Sequence, residues 1–146
     1  MRGLPYVLGI VAGLGLAAQI GMNSQLRKLL HSANTAALIS FLVGTIALLS
    51  LLLATRSELP SRDTLAAVPL WAWFGGVFGA FYVAISTVVA TELGATSLLA
   101  LALLGQLGTA LVIDHFGWLG LPEHPITLSR LAGVALLGAG VWVFTR

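Results

Sequence analysis

Apolar residues fill five stretches of the chain, 5–24, 35–55, 69–91, 95–113 and 127–144, and polar residues gather in the short breaks between them. A helix needs about 20 mostly apolar residues to cross about 30 Å of hydrocarbon, and each stretch is close to that length. The pattern predicts an all-α, polytopic membrane protein: a single five-helix transmembrane domain over residues 1–146. An odd number of spans puts the two termini on opposite sides of the bilayer.

The breaks agree with local backbone chemistry. Pro5 and Pro69 stand where a helix can begin, because its first turn needs no proline N–H. Leu93-Gly94 and Phe116-Gly117 supply glycine where a helix must stop. The link 25–34 carries Arg27, Lys28 and His31, and the link 56–68 carries Arg56, Glu58, Arg62 and Asp63. Residues 92–94 form a bare turn, and 114–126 carry His115, Glu123, His124 and two prolines. The first stretch follows Arg2 and could pass for a signal peptide. Its length and the bulky Leu16 before Ala17-Ala18 argue for a retained helix.

Composition narrows the function classes. The 146 residues are 58% hydrophobic and 8% charged, against about 25% charged in soluble domains, so a water-facing coat is missing. The net charge of +2 is scattered without a basic run or patch, and nucleic acid is not an expected partner. No cysteine is present, so disulfides, thiolate metal sites and a cysteine nucleophile are excluded. Sorted by side, Arg2, Arg56, Arg62 and Arg130 oppose Arg27, Lys28 and Arg146, four cations against three. Orientation follows the Lys/Arg difference, and so small a difference predicts insertion both ways up. The plainer alternative is a weak bias toward a cytoplasmic amino terminus. An inverted pair of chains would be an intermolecular counterpart of the inverted repeats within many transporters.

Lipid is as apolar as leucine, so membrane helices meet through small residues. Gly9, Gly13, Ala17 and Gly21 form one ridge on the first helix. Gly75-x3-Gly79 and Gly76-x3-Ala80 do so on the third, and Ala135-x3-Ala139 on the fifth. Plain packing accounts for such ridges, and they name no cargo. Trp71, Trp73 and Trp142 sit where interfacial anchors belong.

Polar residues at membrane depth face a partner or a cavity. Gln19 and Asn23 share one face of the first helix with Gly15. Gln19 lies about 21 Å along from Pro5, and Gln106 about 17 Å into the fourth helix, at 1.5 Å per residue. Tyr82 and Ser86 are one turn apart on the third helix. Gln106 has two open readings, a hydrogen bond to a neighbouring helix or the lining of a solute path. As candidate substrate-binding residues the sequence offers Gln19, Asn23, Tyr82, Ser86 and Gln106. No carboxylate lies at the centre of a span. Glu92, which ends the third helix against an unfavourable dipole, is the candidate for coupling to protons, with turn capping as the alternative. No GxSxG, HExxH or phosphate-binding loop occurs, so no catalytic residue, no metal and no cofactor is expected.

A series of short motifs runs in order along the chain. It comprises Gly21-x-Asn23-x-x-Leu26, Gly75-Gly76-x-x-Gly79-Ala80, Leu93-Gly94-Ala95, Gly105-Gln106, Asp114-His115-Phe116-Gly117 and Arg130-x-x-Gly133, with a late Gly140. This series resembles the five-helix YdcZ family of the drug/metabolite transporter superfamily. The resemblance implies a bacterial inner-membrane transporter, related to ten-helix members whose halves are inverted five-helix repeats. One chain would then be half of such a transporter. The expected partners are a second copy in an antiparallel homodimer, the lipid bilayer and a small-molecule solute. The expected function is export of a small organic metabolite or drug-like solute by alternating access. Two rivals stand beside it: a passive channel, and an accessory subunit of a heteromeric transporter.

Overall fold

The computed structural model describes residues 3–146, so Arg2, counted above among the cations, lies outside the described residues. The described chain is helical: α1 Leu4–Leu30, α2 Ala33–Ala54, α3 Arg62–Ala66, α4 Gly75–Leu93, α5 Ala95–Phe116 and α6 Leu128–Phe144. Four segments are long and apolar enough to cross a membrane: Leu4–Leu30, Ala33–Ala54, Leu70–Leu93 and Ala95–Phe116. The fifth apolar helix, α6, is shorter at 17 residues.

Each boundary has a local cause. Pro5 falls in the first turn of α1, and Arg27 and Lys28 occupy its last turn, where cations complement the negative end of the helix dipole. Those cations sit in helix rather than in a loop, because α1 continues past Ser24 to Leu30 before His31 turns left-handed at φ 53°. Ser32 caps α2 by accepting from the Thr35 N–H at 3.2 Å. Ser61 caps the short α3 by accepting from the Thr64 N–H at 3.1 Å. After Pro69 the chain enters as a 3-10 turn, Leu70–Phe74, before α4. Gly94 (φ 82°) and Gly117 (φ 61°) adopt the backbone that other residues resist, at the two stops expected from the sequence.

Two compact units make up the chain, one ending at Val88 and the other spanning Val89–Arg146. In the first, α1 packs on α2 across a two-residue turn. Phe41 of α2 lays its ring against Gly79 of α4, where an added Cβ would meet the ring's Cζ at 3.3 Å. In the second, α5 packs on α6 and on the 3-10 turn Trp118–Gly120. Leu104 of α5 reaches the backbone of α6 beside Gly138.

The surface is inverted relative to a water-soluble protein. Leu14, Leu53 and Phe78 are 67%, 71% and 72% exposed, with many more like them. The buried apolar set among the described residues is small: Ile20, Ala36, Ala37, Val83, Leu98 and Val141. So little apolar burial would not hold a soluble chain together. Hydrocarbon is the solvent these faces fit, and helices are the form in which backbone groups stay satisfied there.

Candidate functional site

The first candidate surface is a groove between α1 and α2 with a volume of about 310 Å³. Gly15, Gln19 and Asn23 line it from α1, at the shared-face spacing, and Ile39, Ser40 and Val43 line it from α2. Gln19 is exposed in the groove, whereas Asn23, one turn further, is 3% exposed. Two amides thus follow each other inward along one wall, each with two N–H donors and a carbonyl acceptor. Gly15 before them adds no side chain to the wall, and nothing lies within 4 Å of a Cβ added there.

Next to Asn23, Ser24 buries its Oγ without a hydrogen-bond partner. On α4, Tyr82 does the same with its phenolic oxygen. Ser86, one turn on, is 2% exposed and donates to the Val83 carbonyl at 2.9 Å. Its proton is therefore spent within its own helix and only its lone pairs remain. Thr87 donates to the Ala84 carbonyl at 2.9 Å. An unsatisfied buried hydroxyl costs stability, so Ser24 and Tyr82 mark places where a further group would be welcome. Sequence reasoning singled out Tyr82 but passed over Ser24 and Ser40. Adjacency to Asn23 was the available signal for Ser24. For Ser40 no local signal existed, since only the packing of α2 on α1 brings it to the groove.

A second hollow, about 460 Å³, opens between α2 and α4. Asn34 is the one polar residue along it, and Leu38, Phe41, Val77 and Phe81 make most of its walls.

Gln106 falls at the midpoint of α5 and is exposed, as is Gly105 beside it. Glu92, in the last turn of α4, is exposed. The structure therefore gathers Gln19 and Asn23 on one groove, sets Tyr82 and Ser86 on successive turns of α4, and leaves Gln106 and Glu92 on exposed faces.

Polar chemistry at the end of the α5–α6 hairpin has a different character. Arg130 Nη1 lies 3.4 Å from Asp114 Oδ2 and donates to the His124 carbonyl at 3.2 Å. The His124 N–H donates to the Asp114 carbonyl at 2.7 Å, and the Ile126 N–H to His115 Nδ1 at 3.3 Å. Phe116 and Trp118 stack at 5.0 Å. His115 belongs to the last turn of α5, not to the loop. These contacts clip the connection to the two helix ends.

Residues 4–143 match the family described as "Putative inner membrane exporter, YdcZ". The chain belongs to the YdcZ family. Among relatives, the inner membrane protein YdcZ of Escherichia coli (strain K12) is 26% identical over 137 residues, which cover 94% of this chain and 91% of that protein. No solved structure matches. As a YdcZ-family member the chain is a multi-pass inner-membrane protein, and the family description is one of transport rather than of an enzyme. Both fit a surface that is apolar nearly throughout, with polar side chains at membrane depth on α1, α4 and α5.

Proposed function

We propose that two copies of this chain, inserted in opposite orientations, form a secondary transporter that exports a small organic solute by alternating access. All five apolar helices cross the bilayer in this reading. At about 1.5 Å per residue α6 reaches about 26 Å, near the lower limit for a span, and local thinning of the bilayer makes up the difference. Each chain then corresponds to one half of an inverted-repeat ten-helix transporter.

The observation that carries the proposal is Gln106. It sits halfway along a membrane-length helix, and α6, on which α5 packs, leaves it exposed. An amide facing hydrocarbon is costly, and polar groups at that depth face a partner or a water-filled cavity. A second chain brought against this face supplies both. Gln19, Asn23, Tyr82 and Ser86, with Gln106, supply the polar contacts for the solute, and the orphaned hydroxyl of Tyr82 fits that use. The exposed Glu92 is the coupling group in this scheme.

Proteoliposomes loaded with a mixture of organic metabolites test the reading, with mass spectrometry reporting which solutes leave. A transporter releases a narrow set, saturably, and exchanges them against outside solute. Unsaturable leak of every small solute would make the protein a pore and end the proposal. For the exported solute, Glu92→Gln should flatten the pH profile of release; an unchanged profile removes Glu92 from coupling. Cysteine-free as it is, the chain also permits single-cysteine labelling. Glu58→Cys should be only partly modified by an impermeant reagent on intact cells, and complete labelling or none rejects dual orientation.

A further inference from the structure

The α5–α6 hairpin carries a third groove, about 350 Å³, lined by none of the candidate solute-binding residues. Leu107, Ala110 and Leu111 of α5 and Gly133 and Val134 of α6 give it an apolar floor, and Asp114 and Arg130 stand at one end. That end is where α5 stops and α6 starts, so the charges lie at the edge of the membrane-length segment. From Asp114 the floor runs to Leu107, about 10 Å along the helix at 1.5 Å per residue. A polar mouth at headgroup level and an apolar channel leading inward from it match the two halves of a phospholipid.

The charges narrow the headgroup. At 3.4 Å the ion pair is longer than a tight charge-assisted bond. Both hydrogen bonds of the Arg130 side chain use Nη1, which leaves Nη2 and Nε, and a guanidinium has five N–H donors in all. The Asp114 carboxylate accepts from Arg130 alone among the described residues. The side chains are 38% and 31% exposed for Arg130 and Asp114, so both can be reached. A phosphate diester suits the free guanidinium edge, and a primary ammonium with three N–H donors suits the open carboxylate oxygen. A headgroup with phosphate alone would leave Asp114 facing like charge. A quaternary ammonium has no N–H to give.

We propose that this groove binds one amine-bearing zwitterionic phospholipid, phosphatidylethanolamine in chemical type, with its phosphate on Arg130, its ammonium on Asp114 and an acyl chain along Gly133. The site is independent of the solute path and rests only on the chain's being a membrane protein. Gly133 makes the tail half testable. Nothing lies within 4 Å of a Cβ added there, so a side chain has room to leave the backbone at this position, and Gly133→Leu is the variant chosen to occupy the groove.

Native mass spectrometry of the purified full chain, titrated with phosphatidylethanolamine, phosphatidylglycerol or phosphatidylcholine, reads the outcome. The unaltered protein should retain one phosphatidylethanolamine per chain at concentrations where the other two are lost. Asp114→Asn should remove that preference while lipid is still held. Arg130→Gln and Gly133→Leu should each lower retention about tenfold. Equal retention of the three lipids by the unaltered protein overturns the proposal, with no variant needed. So does unchanged retention in Gly133→Leu. Displacement of the lipid by free phosphoethanolamine at matching concentration would make this a solute site instead. Loss of a dimer mass in Gly133→Leu would mean that a second copy covers the groove, and would overturn it as well.

Discussion

The α1–α2 groove and the end of the α5–α6 hairpin are both lined by polar residues on apolar helices, yet the two treat those residues in opposite ways. At the hairpin end, Asp114, Arg130 and the His124 backbone bond to one another, and His115 accepts from the Ile126 N–H. In the first unit, Gln19 stands exposed in a groove, and Ser24 and Tyr82 bury hydroxyls that meet no partner. Polar groups near water are cheap and have been used to fasten a loop. Polar groups within the span are expensive, yet the Ser24 and Tyr82 hydroxyls stay unpartnered. Expensive groups left without partners belong to binding; cheap groups tied together belong to shape. The proposed solute path follows that division, whereas the lipid site uses the open edges of the tied Asp114–Arg130 pair.

Asn23→Leu gives the largest test. On this view it removes a contact to the solute and weakens apparent affinity by roughly 5- to 150-fold, while thermal stability in detergent changes little. A fall in melting temperature as large as the loss of transport would make the buried amide a helix fastener and erase the contrast. Gly117→Val comes next and belongs to shape. Its backbone is left-handed at φ 61°, with Glu123 Cβ and the Leu121 carbonyl oxygen each 3.5 Å from an added Cβ. A branched residue there should cost about 1–2 kcal/mol, seen as a lower melting temperature with solute affinity unchanged. Tyr82→Phe should do the reverse on a smaller scale. Deleting a buried oxygen without a partner should stabilise the protein by up to about 1 kcal/mol, while transport slows. A loss of stability would reveal a bond that the hydroxyl makes. Smallest is Asp114→Asn, since half-exposed ion pairs contribute about 0.2–1 kcal/mol. Its effect on melting should shrink further as salt is raised.

Hydropathy alone located the apolar segments because lipid imposes a length that few other environments demand. Gly94 and Gly117 marked helix ends because each needs a backbone that only glycine takes easily. The extension of α1 through Arg27 and Lys28 to Leu30 was not legible: hydropathy measures depth in the membrane, and a helix can outlast the hydrocarbon. The short α3 had a signal in Ser61 and Asp63, a cap and a first-turn acid, but an expectation built on membrane spans passes over a five-residue helix. For the candidate site, the depth of Gln106 could be counted along the chain, and it stands at the midpoint of α5 as counted. Its exposure could not, because that depends on which helix packs on which face. The Asp114–Arg130 pair was equally hidden: its members are 16 residues apart and meet only because α5 and α6 return side by side.

Only His31 and Ser32 separate α1 from α2. So short a turn gives α2 little freedom to wait in water while α1 settles, and the two helices are expected to enter the bilayer as one hairpin. Arg27 and Lys28 ride at its tip and reach a given face together or not at all. On that expectation one insertion step commits two helices and two cations at a stroke. Arg56 and Arg62, made later, arrive to find half of the described membrane-length helices already committed.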